Sequence, residues 1–292
     1  MPAVTIVIPV LNRANYLPQL FHSLAAVSYE EMEIVLVDNG STDGSLMMCR
    51  SFAEEAPFVV TVLTEPRRGA CCARNAGLRY CKTEWVYFFD SDDEISPSFL
   101  VELMPQVREG IDVVAFPTMQ ELGGSISQRA FCPSPSAATQ ILSLTLNTQS
   151  MIFRTRFLRE IGGWDESLAI WQDWELGTRL LLHGASVAWH GQQAYHVIHV
   201  HSDSITGPSF SARQREIQHT LEVVAAELKT QRERNALFLR CSIANGLLRR
   251  EGRKRLSSPV EVGPLCRLAG KLLEGYTALG GRGAWRLALC CC

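Results

Sequence analysis

Three acidic residues stand close together in Asp90-Ser-Asp-Asp93 and could bind a divalent cation. Neighbouring carboxylates repel one another, and a bound cation or a sugar hydroxyl relieves that repulsion. Carboxylate oxygens are hard ligands that favour Mg²⁺ or Mn²⁺, and these ions in turn bind diphosphates. The alternative is an acidic turn that caps a helix starting at Ser96 and Pro97. The apolar run Trp85–Phe89 favours the cation site, because it predicts a buried strand ending at the carboxylates.

Two other predicted strands also end in polar residues. The run Val4–Val10, rich in β-branched residues, contains Pro9 near its end and is followed by Asn12, and the run Glu33–Asp38 ends in a carboxylate. In a doubly wound sheet, ligands bind beyond the carboxyl ends of the strands. We therefore expect these three strand ends to contribute to one binding site.

Two common phosphate-binding motifs are missing from the sequence. The turn after the first strand contains no glycine, so a GxGxxG dinucleotide motif is absent there, and no GK[ST] P-loop is found. His196, His199 and His201 raise the question of a zinc site, but no cysteine lies near them in sequence. We therefore expect neither zinc nor a dinucleotide as the cofactor.

Strands and helices alternate over the first 116 residues, which predicts a mostly parallel α/β sheet covered by helices on both faces. The predicted strands are 4–10, 33–38, 59–63, 85–89 and 112–116, and the predicted helices are 16–26, one after 44, 71–80 and one from 96. Residues 117–138 contain paired glycines and two prolines, so we expect a loop or a weak hairpin there. A second βα-like block runs from 149 to 201, with a strand at 151–153 and a helix at 173–183.

Length and composition exclude several classes of protein. The chain has 292 residues, of which 47% are apolar and 20% charged, so it can form one large domain or two modest ones and is not a disordered chain. No apolar run approaches the roughly 18 residues of a membrane-spanning helix. The N-terminus lacks the pattern of a signal peptide, so we expect a cytoplasmic protein with reduced thiols.

The net charge of −2 hides two regions of opposite charge. Residues 1–209 carry 13 basic and 23 acidic side chains, a net charge of −10, whereas residues 210–292 carry 15 and 7, a net charge of +8. The overall balance argues against nucleic acid as a partner. The basic region predicts two helices, around 217–228 and 237–248. It could be a solvated face or could contact an anionic membrane surface, and Cys290-Cys-Cys292, which is not a CaaX box, could carry acyl chains.

Taken in order, the motifs resemble those of the family 2 glycosyltransferases, which have the GT-A fold. The matching motifs are Thr5–Asn12, Asp38–Gly44, Gly69–Gly77, Asp90–Asp93, Ile161–Glu166, Gln172–Leu176 and His201–Thr206. The resemblance covers about residues 4–206 and implies a GT-A domain over 1–209, with a nucleotide-binding half at 1–116 and an acceptor half at 117–209. Residues 210–292 would then be a basic, mainly helical extension.

The resemblance implies an inverting, metal-dependent transfer of a hexosyl or N-acetylhexosaminyl group. The donor would be a nucleotide-diphosphate sugar, with UDP as the expected nucleotide, and the acceptor a hydroxyl of a glycan or lipid-linked glycan. Asp38 would accept a hydrogen bond from the base, and Asp90 with Ser91 would contact the ribose. Asp92 would hold Mn²⁺ or Mg²⁺, with Asp93 close by, and His201 would reach the metal or the diphosphate.

Arg74, Pro9 and Asn12 would complete the nucleotide-sugar site implied by the resemblance. Arg74 stands in the motif Gly69–Gly77, at the start of a predicted helix. Its guanidinium would balance phosphate charge or hold the carboxylates in place, and a purely structural ion pair is the alternative.

The resemblance also assigns the catalytic base to Asp173. Inverting transfer needs a carboxylate that takes the acceptor's proton. Gln172 stands where the family commonly has Glu, and together with Trp171 it would contact the acceptor. The alternatives are a carboxylate stabilised by the helix dipole for Asp173, and a core position for the tryptophan.

Two rival functions use the same features. A nucleotidyltransferase of this fold would need a glycine-rich, basic loop after the first strand, which Leu11-Asn-Arg-Ala-Asn15 fits poorly. A non-catalytic protein that binds nucleotide sugars or glycans would bind the donor without turnover.

Overall fold

The computed structural model describes residues 3–122, 124–129, 131, 135–191, 193–199 and 210–289. The chain forms two compact units. The first comprises Met1–Ser134, Leu146–Ala169 and Ala185–Val200, and the second comprises Pro135–Thr145, Ile170–Gly184 and His201–Cys292. Pro135–Thr145 and Ile170–Gly184, which lie within the predicted transferase domain 1–209, cluster with the C-terminal residues. The boundary at 209/210 stays a prediction. The roles assigned to the predicted halves remain predictions.

The strands and helices have the following bounds. The strands are β1 Val4–Val10, β2 Met32–Asp38, β3 Val59–Thr64, β4 Trp85–Phe88, β5 Val113–Ala115, β6 Met119–Leu122, β7 Ser125–Gln128, β8 Met151–Arg154, β9 Val187–Trp189 and β10 Val197–His199. The α-helices are α1 Leu17–Ala25, α2 Ser45–Glu55, α3 Ala70–Tyr80, α4 Phe99–Leu103, α5 Ala137–Ser143, α6 Thr155–Glu160, α7 Gln172–Leu182, α8 Gln214–Glu227, α9 Gln231–Arg250, α10 Pro264–Ala278 and α11 Ala284–Leu289.

The first unit is built on a sheet in which the described residues form seven strands in the order β3-β2-β1-β4-β8-β5-β9. The pairs β3–β2, β2–β1, β1–β4 and β5–β9 are parallel, and β8 runs antiparallel to both of its neighbours. The prediction of a mostly parallel sheet is therefore confirmed. The order places β2, β1 and β4 side by side, so their carboxyl ends share one edge of the sheet.

Helices cover both faces of this sheet. On one face, alternate residues of β1, such as Ile6 and Ile8, join Leu20 of α1 and Phe99 of α4 in the main apolar core. On the other face, α3 lies so close to β1 that a Cβ added to Gly77 would be 2.3 Å from Cγ1 of Val7. The absence of a side chain at position 77 is therefore what allows α3 to pack on β1.

Alanine at position 77 is expected to destabilise the protein by about 2 kcal/mol, the usual cost of overpacking a rigid core. Gly275, within α10, is the matched control, since no heavy atom lies within 4 Å of its added Cβ. Gly275→Ala should stabilise the protein by about 0.5–1 kcal/mol, because alanine loses less backbone entropy in a helix than glycine. Urea unfolding of both variants measures the difference, and equal effects would contradict the close α3–β1 contact.

Residues 117–138, predicted to be a loop or weak hairpin, contain the antiparallel hairpin β6–β7, and β10 pairs in parallel with β6 on its other side. The predicted helix cap at Ser96 is wrong. The helix begins at Phe99, with Ser98 in the N-cap position. The backbone N–H groups of Ile95 and Ser96 donate to Ser23 and to Nδ1 of His196 instead, which holds residues 95–96 outside the helix.

The second unit has its own apolar core, in which α5 and α7 pack with the C-terminal helices. Trp174 of α7 is buried and its indole N–H donates to the carbonyl of Ile141, 3.0 Å away. Ile217 of α8 and Leu237 of α9 belong to the same core. The two helices predicted in the basic region are α8 and α9, and α10 and α11 follow them in the part of the extension for which no individual helix was predicted. None of the described helices combines the length and the apolar character needed to cross a membrane.

Candidate active site

The adjacent strands β2, β1 and β4 bring Asp38, Asn12 and Asp90 to the same edge of the sheet in the first unit. Pro9 is half-buried within β1, opposite Val37 of β2. Asn12 has a positive φ of 53°, and its Oδ1 accepts a 2.8 Å hydrogen bond from the N–H of Thr42. This hydrogen bond connects the residues after β1 to the turn after β2. The two strand ends are therefore close enough to contribute to one site.

The Asp38 carboxylate is buried and organises the turn after β2. It accepts hydrogen bonds from the N–H groups of Gly40, at 3.1 Å, and Ser41, at 3.3 Å. A carboxylate has about four acceptor positions, so it can accept a further N–H group from a ligand. The side chain is thus fixed in direction before any ligand arrives.

Two asparagines missed by the sequence analysis fix the loops around this edge. Asn39 donates from Nδ2 to the carbonyls of Glu65 and Arg67 and accepts from the N–H of Gly69, each at 2.8 Å. It therefore joins the end of β2 to the start of α3. Asn75, on α3, donates to the carbonyl of Trp164 and accepts from its N–H, at 2.8 and 2.9 Å.

The buried guanidinium of Arg74 lies beside the Asp90 carboxylate. Nη2 of Arg74 lies 2.9 Å from Oδ1 of Asp90, and the guanidinium lies over the ring of Trp164 at 4.5 Å. The carboxylate is one-third exposed, whereas the Arg74 side chain is almost fully buried. Arg74 is therefore in place to hold Asp90, and Ser91 is buried next to it in the chain.

Gln149 joins Asp90 to Asp93 and was also missed from the sequence. Its Nε2 lies 3.3 Å from Oδ2 of Asp90 and 2.5 Å from Oδ2 of Asp93, and the N–H of His199 donates to Oδ1 of Asp93. Burial raises the pKa of Asp93 to about 8, and the negative charges of Asp90 and Asp92 act in the same direction. This crowding of acidic groups is the condition that a nearby cation would relieve.

The donor chemistry at this edge fits a hard divalent cation, because it consists of carboxylate oxygens. Asp92 is largely buried and pairs with Arg13, with Nη2 and Oδ2 3.5 Å apart. In the described part of the chain, no three His, Cys, Asp or Glu side chains are already arranged as a metal cage. His201, the other predicted ligand, lies outside the described residues.

His196 and His199 take separate structural roles. Nδ1 of His199 lies 2.6 Å from a carboxylate oxygen of Glu121. His196 is buried among aromatic rings, including Tyr87 and Phe99, and burial lowers its pKa to about 3. It is therefore neutral under all ordinary conditions.

The depressed pKa of His196 predicts a loss of stability in acid. Since the unfolded histidine, with a pKa near 6.5, binds a proton first, the stabilisation is present above pH 6.5 and is lost as the pH falls toward 3. Between pH 7 and pH 4.5 the wild type should lose about 2 kcal/mol more than His196→Asn, which keeps an acceptor for Ser96. The exposed His22→Asn control should follow the wild type. Urea titrations at both pH values measure this, and equal losses would contradict the burial of a neutral imidazole.

The predicted base and acceptor residues belong to the second unit. Asp173 lies in the first turn of α7, half-buried, and its Oδ1 accepts from the N–H of Trp174 at 2.8 Å. Gln172 is buried, and Trp171, in the N-cap position, has a φ of +55°. Positive φ is unusual for a bulky side chain and is found where the surrounding structure enforces it.

Arg240 of α9 lies against this group and was missed from the sequence. Its guanidinium lies 4.9 Å from the ring centre of Trp171 and 5.7 Å from that of Trp174. Burial lowers the pKa of Arg240 to about 10, with the charge of Asp173 acting in the opposite direction. The arginine is therefore cationic at neutral pH and attracts the Asp173 carboxylate. Glu175, the other acid of the motif, is ion-paired with Arg179 at 2.6 Å.

Comparison with known proteins places part of the chain in a family. Residues 5–149 match the family Glycosyl transferase family 2. Glycosyltransferase GlyG of Streptococcus pneumoniae is 33% identical over 106 residues, which cover 36% of this chain and 35% of GlyG. The minor teichoic acid biosynthesis protein GgaA of Bacillus subtilis is 27% identical over 195 residues, covering 61% of this chain and 43% of GgaA. The chain thus spans about a third to two-fifths of the length of these relatives.

Solved structures extend the likeness to nearly the whole chain at the level of the fold. S. aureus TarS 1–349, crystallised in complex with UDP-GlcNAc, has a TM-score of 0.69 at 18% identity, covering 98% of this chain and 90% of that one. The mannosyltransferase PcManGT of Pyrobaculum calidifontis, in complex with GDP-Man and Mn²⁺, has a TM-score of 0.62 at 18% identity, covering 98% and 78%. Through residues 5–149 the chain belongs to glycosyl transferase family 2, and it has the α/β GT-A fold of these transferases.

Proposed function

We propose that this protein is an inverting, metal-dependent glycosyltransferase that uses a nucleotide-diphosphate sugar, with UDP as the nucleotide. The observation that carries this proposal is the arrangement of Asp38 and the Arg74–Asp90 ion pair at the shared carboxyl edge of β2, β1 and β4. An edge of this kind is where open α/β sheets bind nucleotides. Membership of residues 5–149 in family 2 supports the same conclusion.

In this proposal the first unit binds the donor. Asp38, already fixed by Gly40 and Ser41, accepts from the ring N–H of uracil. Asp90, held by Arg74, accepts from a ribose hydroxyl, and Ser91, Pro9 and Asn12 complete the contacts. Fixing these carboxylates in advance lowers the entropy that is lost when the nucleotide binds.

The carboxylate Asp92 would hold Mn²⁺ or Mg²⁺, with Arg13 as its partner in the free protein. A bound divalent cation offsets the negative charge of the diphosphate leaving group. Arg13 would then be released from Asp92 and available to a phosphate oxygen. The positive charge of the cation would also favour the ionised form of Asp93.

We assign the general base to Asp173, as the motif Gln172–Leu176 implies. An acceptor hydroxyl oxygen attacks the anomeric carbon, the bond from that carbon to the diphosphate oxygen breaks, and the nucleoside diphosphate leaves with that electron pair. Asp173 takes the hydroxyl proton. The positive charge of Arg240 attracts the Asp173 carboxylate, and Trp171 with Gln172 contacts the acceptor.

We propose a glycan or lipid-linked glycan as the acceptor, reached on the cytoplasmic side of the cell envelope. The relative GgaA, a protein of teichoic acid biosynthesis by its name, supports a role in envelope polymers. Trp171 is half-buried and packs edge-to-face on the buried Trp174, with ring centres 5.4 Å apart, so the accessible part of its ring suits an acceptor that presents apolar sugar faces.

Thermal stabilisation by a panel of nucleotide sugars, with and without Mn²⁺, tests the donor. UDP-linked sugars should raise the melting temperature most, and the rise should be larger in the presence of Mn²⁺. Release of UDP from the stabilising donor then tests for transfer or hydrolysis. Donor binding without any release of UDP, over a range of glycan acceptors, would favour the non-catalytic binding protein instead.

A further inference from the structure

A row of large apolar side chains on α10 and its C-cap residue faces outward from the second unit. Between 41% and 92% of each side chain is exposed. These residues, called the α10 stripe below, are Leu265, Leu268, Leu272, Tyr276 and Leu279. They recur every three or four positions, so at 3.6 residues per turn they lie within an arc of about 80° on the helix.

The rest of α10 is fixed by its packing, so the stripe cannot turn inward. Cys266, Gly270 and Leu273 form the buried side of the helix. A Cβ added to Gly270 would be 2.5 Å from Phe238 of α9, which shows how closely the two helices pack. The exposure of the stripe is therefore a property of the folded unit.

The exposed charges within residues 263–289 are all of one sign. Residues 263–289 contain Arg267, Lys271, Arg282 and Arg286, each exposed, and a single acid, Glu274. Glu274 lies on the buried side and is paired with Arg255 at 2.7 Å. The stripe is thus an apolar surface with a positive border.

We propose that the α10 stripe docks the protein on an anionic lipid bilayer. An apolar helix face bordered by Lys and Arg, with leucine and aromatic side chains at its centre, is the composition that binds in the headgroup region of membranes. The leucines enter the boundary between headgroups and acyl chains, and the cations contact lipid phosphates. The inference does not depend on the proposed transfer reaction.

The charges favour a lipid surface over a second copy of the chain. Pairing two stripes would bring the basic borders of both copies together, with no exposed acid in 263–289 to offset them. Anionic lipid headgroups provide the opposite charge along the whole helix. The basic residues alone would account only for a weak attraction of the protein to the headgroups. The exposed apolar side chains of the α10 stripe predict that they also insert into the bilayer surface.

Flotation of the full chain with vesicles tests the proposal. Vesicles of phosphatidylcholine with 30% phosphatidylglycerol should carry the protein, whereas pure phosphatidylcholine should carry at least tenfold less. The double variant Leu268→Ser/Leu272→Ser should lower the partition coefficient on anionic vesicles at least tenfold. The double variant Arg267→Gln/Lys271→Gln should lower it several-fold and reduce its dependence on salt.

The matched control is Met47→Ser/Val101→Ser, which removes two exposed apolar side chains from the first unit and should bind like the wild type. Thermal unfolding and UDP release without vesicles should be unchanged in the leucine variant, which separates docking from folding and from transfer. Three results would each overturn the proposal: no flotation of the wild type at low salt, equal flotation of the leucine variant, or a dimer in analytical ultracentrifugation that the leucine variant converts to a monomer.

Discussion

Replacing Asp173 with asparagine is expected to lower the turnover number for sugar transfer by about a thousand-fold, within the usual range for removing a general base. Asparagine keeps the shape of the side chain and an oxygen that can accept from the N–H of Trp174, as Oδ1 of Asp173 does. It cannot take a proton at neutral pH. The loss should therefore appear in the chemical step and leave helix α7 intact.

Single-turnover kinetics at saturating donor and acceptor measure this loss directly. Donor affinity should stay within about twofold of the wild type, because Asp173 is not among the donor-binding residues. The control is Glu222→Gln, which neutralises an exposed acid elsewhere in the second unit and should keep full activity. Full turnover in Asp173→Asn would place the base elsewhere, and the ion-paired Glu175 would then be the next acid to test.

Replacing Asp92 with alanine is expected to abolish the Mn²⁺-dependent part of donor binding and to weaken the affinity for a UDP-sugar by at least a hundred-fold, since it removes an ionised ligand of the cation. The ion pair between Arg13 and Asp92 predicts a second effect of this substitution, on binding without Mn²⁺. Without Mn²⁺, Arg13 is no longer paired with Asp92 and can interact with a diphosphate. Residual binding in the presence of a chelator should therefore be as strong as in the wild type, or stronger.

Isothermal titration calorimetry with UDP, in the presence of Mn²⁺ and in the presence of a chelator, separates the Mn²⁺-dependent affinity from the residual affinity. Glu94→Ala is the matched control, because it removes a neighbouring carboxylate that is nearly half exposed and is not a proposed ligand. It should bind UDP with the wild-type dependence on Mn²⁺. An unchanged Mn²⁺ dependence in Asp92→Ala would refute the metal assignment, and an equal loss in chelator would make Asp92 a direct donor contact.

The sheet and its donor edge, that is, the carboxyl ends of β2, β1 and β4, could be predicted because the sequence patterns that indicate them are local. The run Val4–Val10 has the β-branched composition of a buried strand, and its predicted bounds are those of β1. Asp38 and Asp90 follow strands that could be recognised in the same way. The sequence predicted that these strand ends contribute to one site, and the structure shows that β2, β1 and β4 are neighbours.

The residues that fix this edge escaped prediction because their partners are distant in the chain. Asn75 and Trp164 are 89 residues apart, and Gln149 is 56 residues from Asp93. No periodicity or spacing of one sequence links such pairs. Arg240 was overlooked for a similar reason, since it stands in a basic stretch where single charges are usually solvated.

The wrong prediction of an N-cap at Ser96 illustrates competition from a partner that is distant in the chain. Ser-Pro is a common start for a helix, but the imidazole of His196, one hundred residues later in the chain, accepts from the N–H of Ser96. The helix α10 was missed for a different reason. Its leucines lie on the exposed side, so its pattern of apolar residues does not reveal which face is buried.

The interleaving of the two units along the chain has a consequence for protein synthesis. A ribosome completes the first unit once residue 200 has emerged, but Ile141 and Trp174 then still lack the helices α8 and α9 of their common core. Their apolar surfaces remain uncovered until the last third of the chain is made. Premature stop codons after residue 200 should therefore yield aggregation-prone products that chaperones retain, whereas the donor edge of the first unit is already folded.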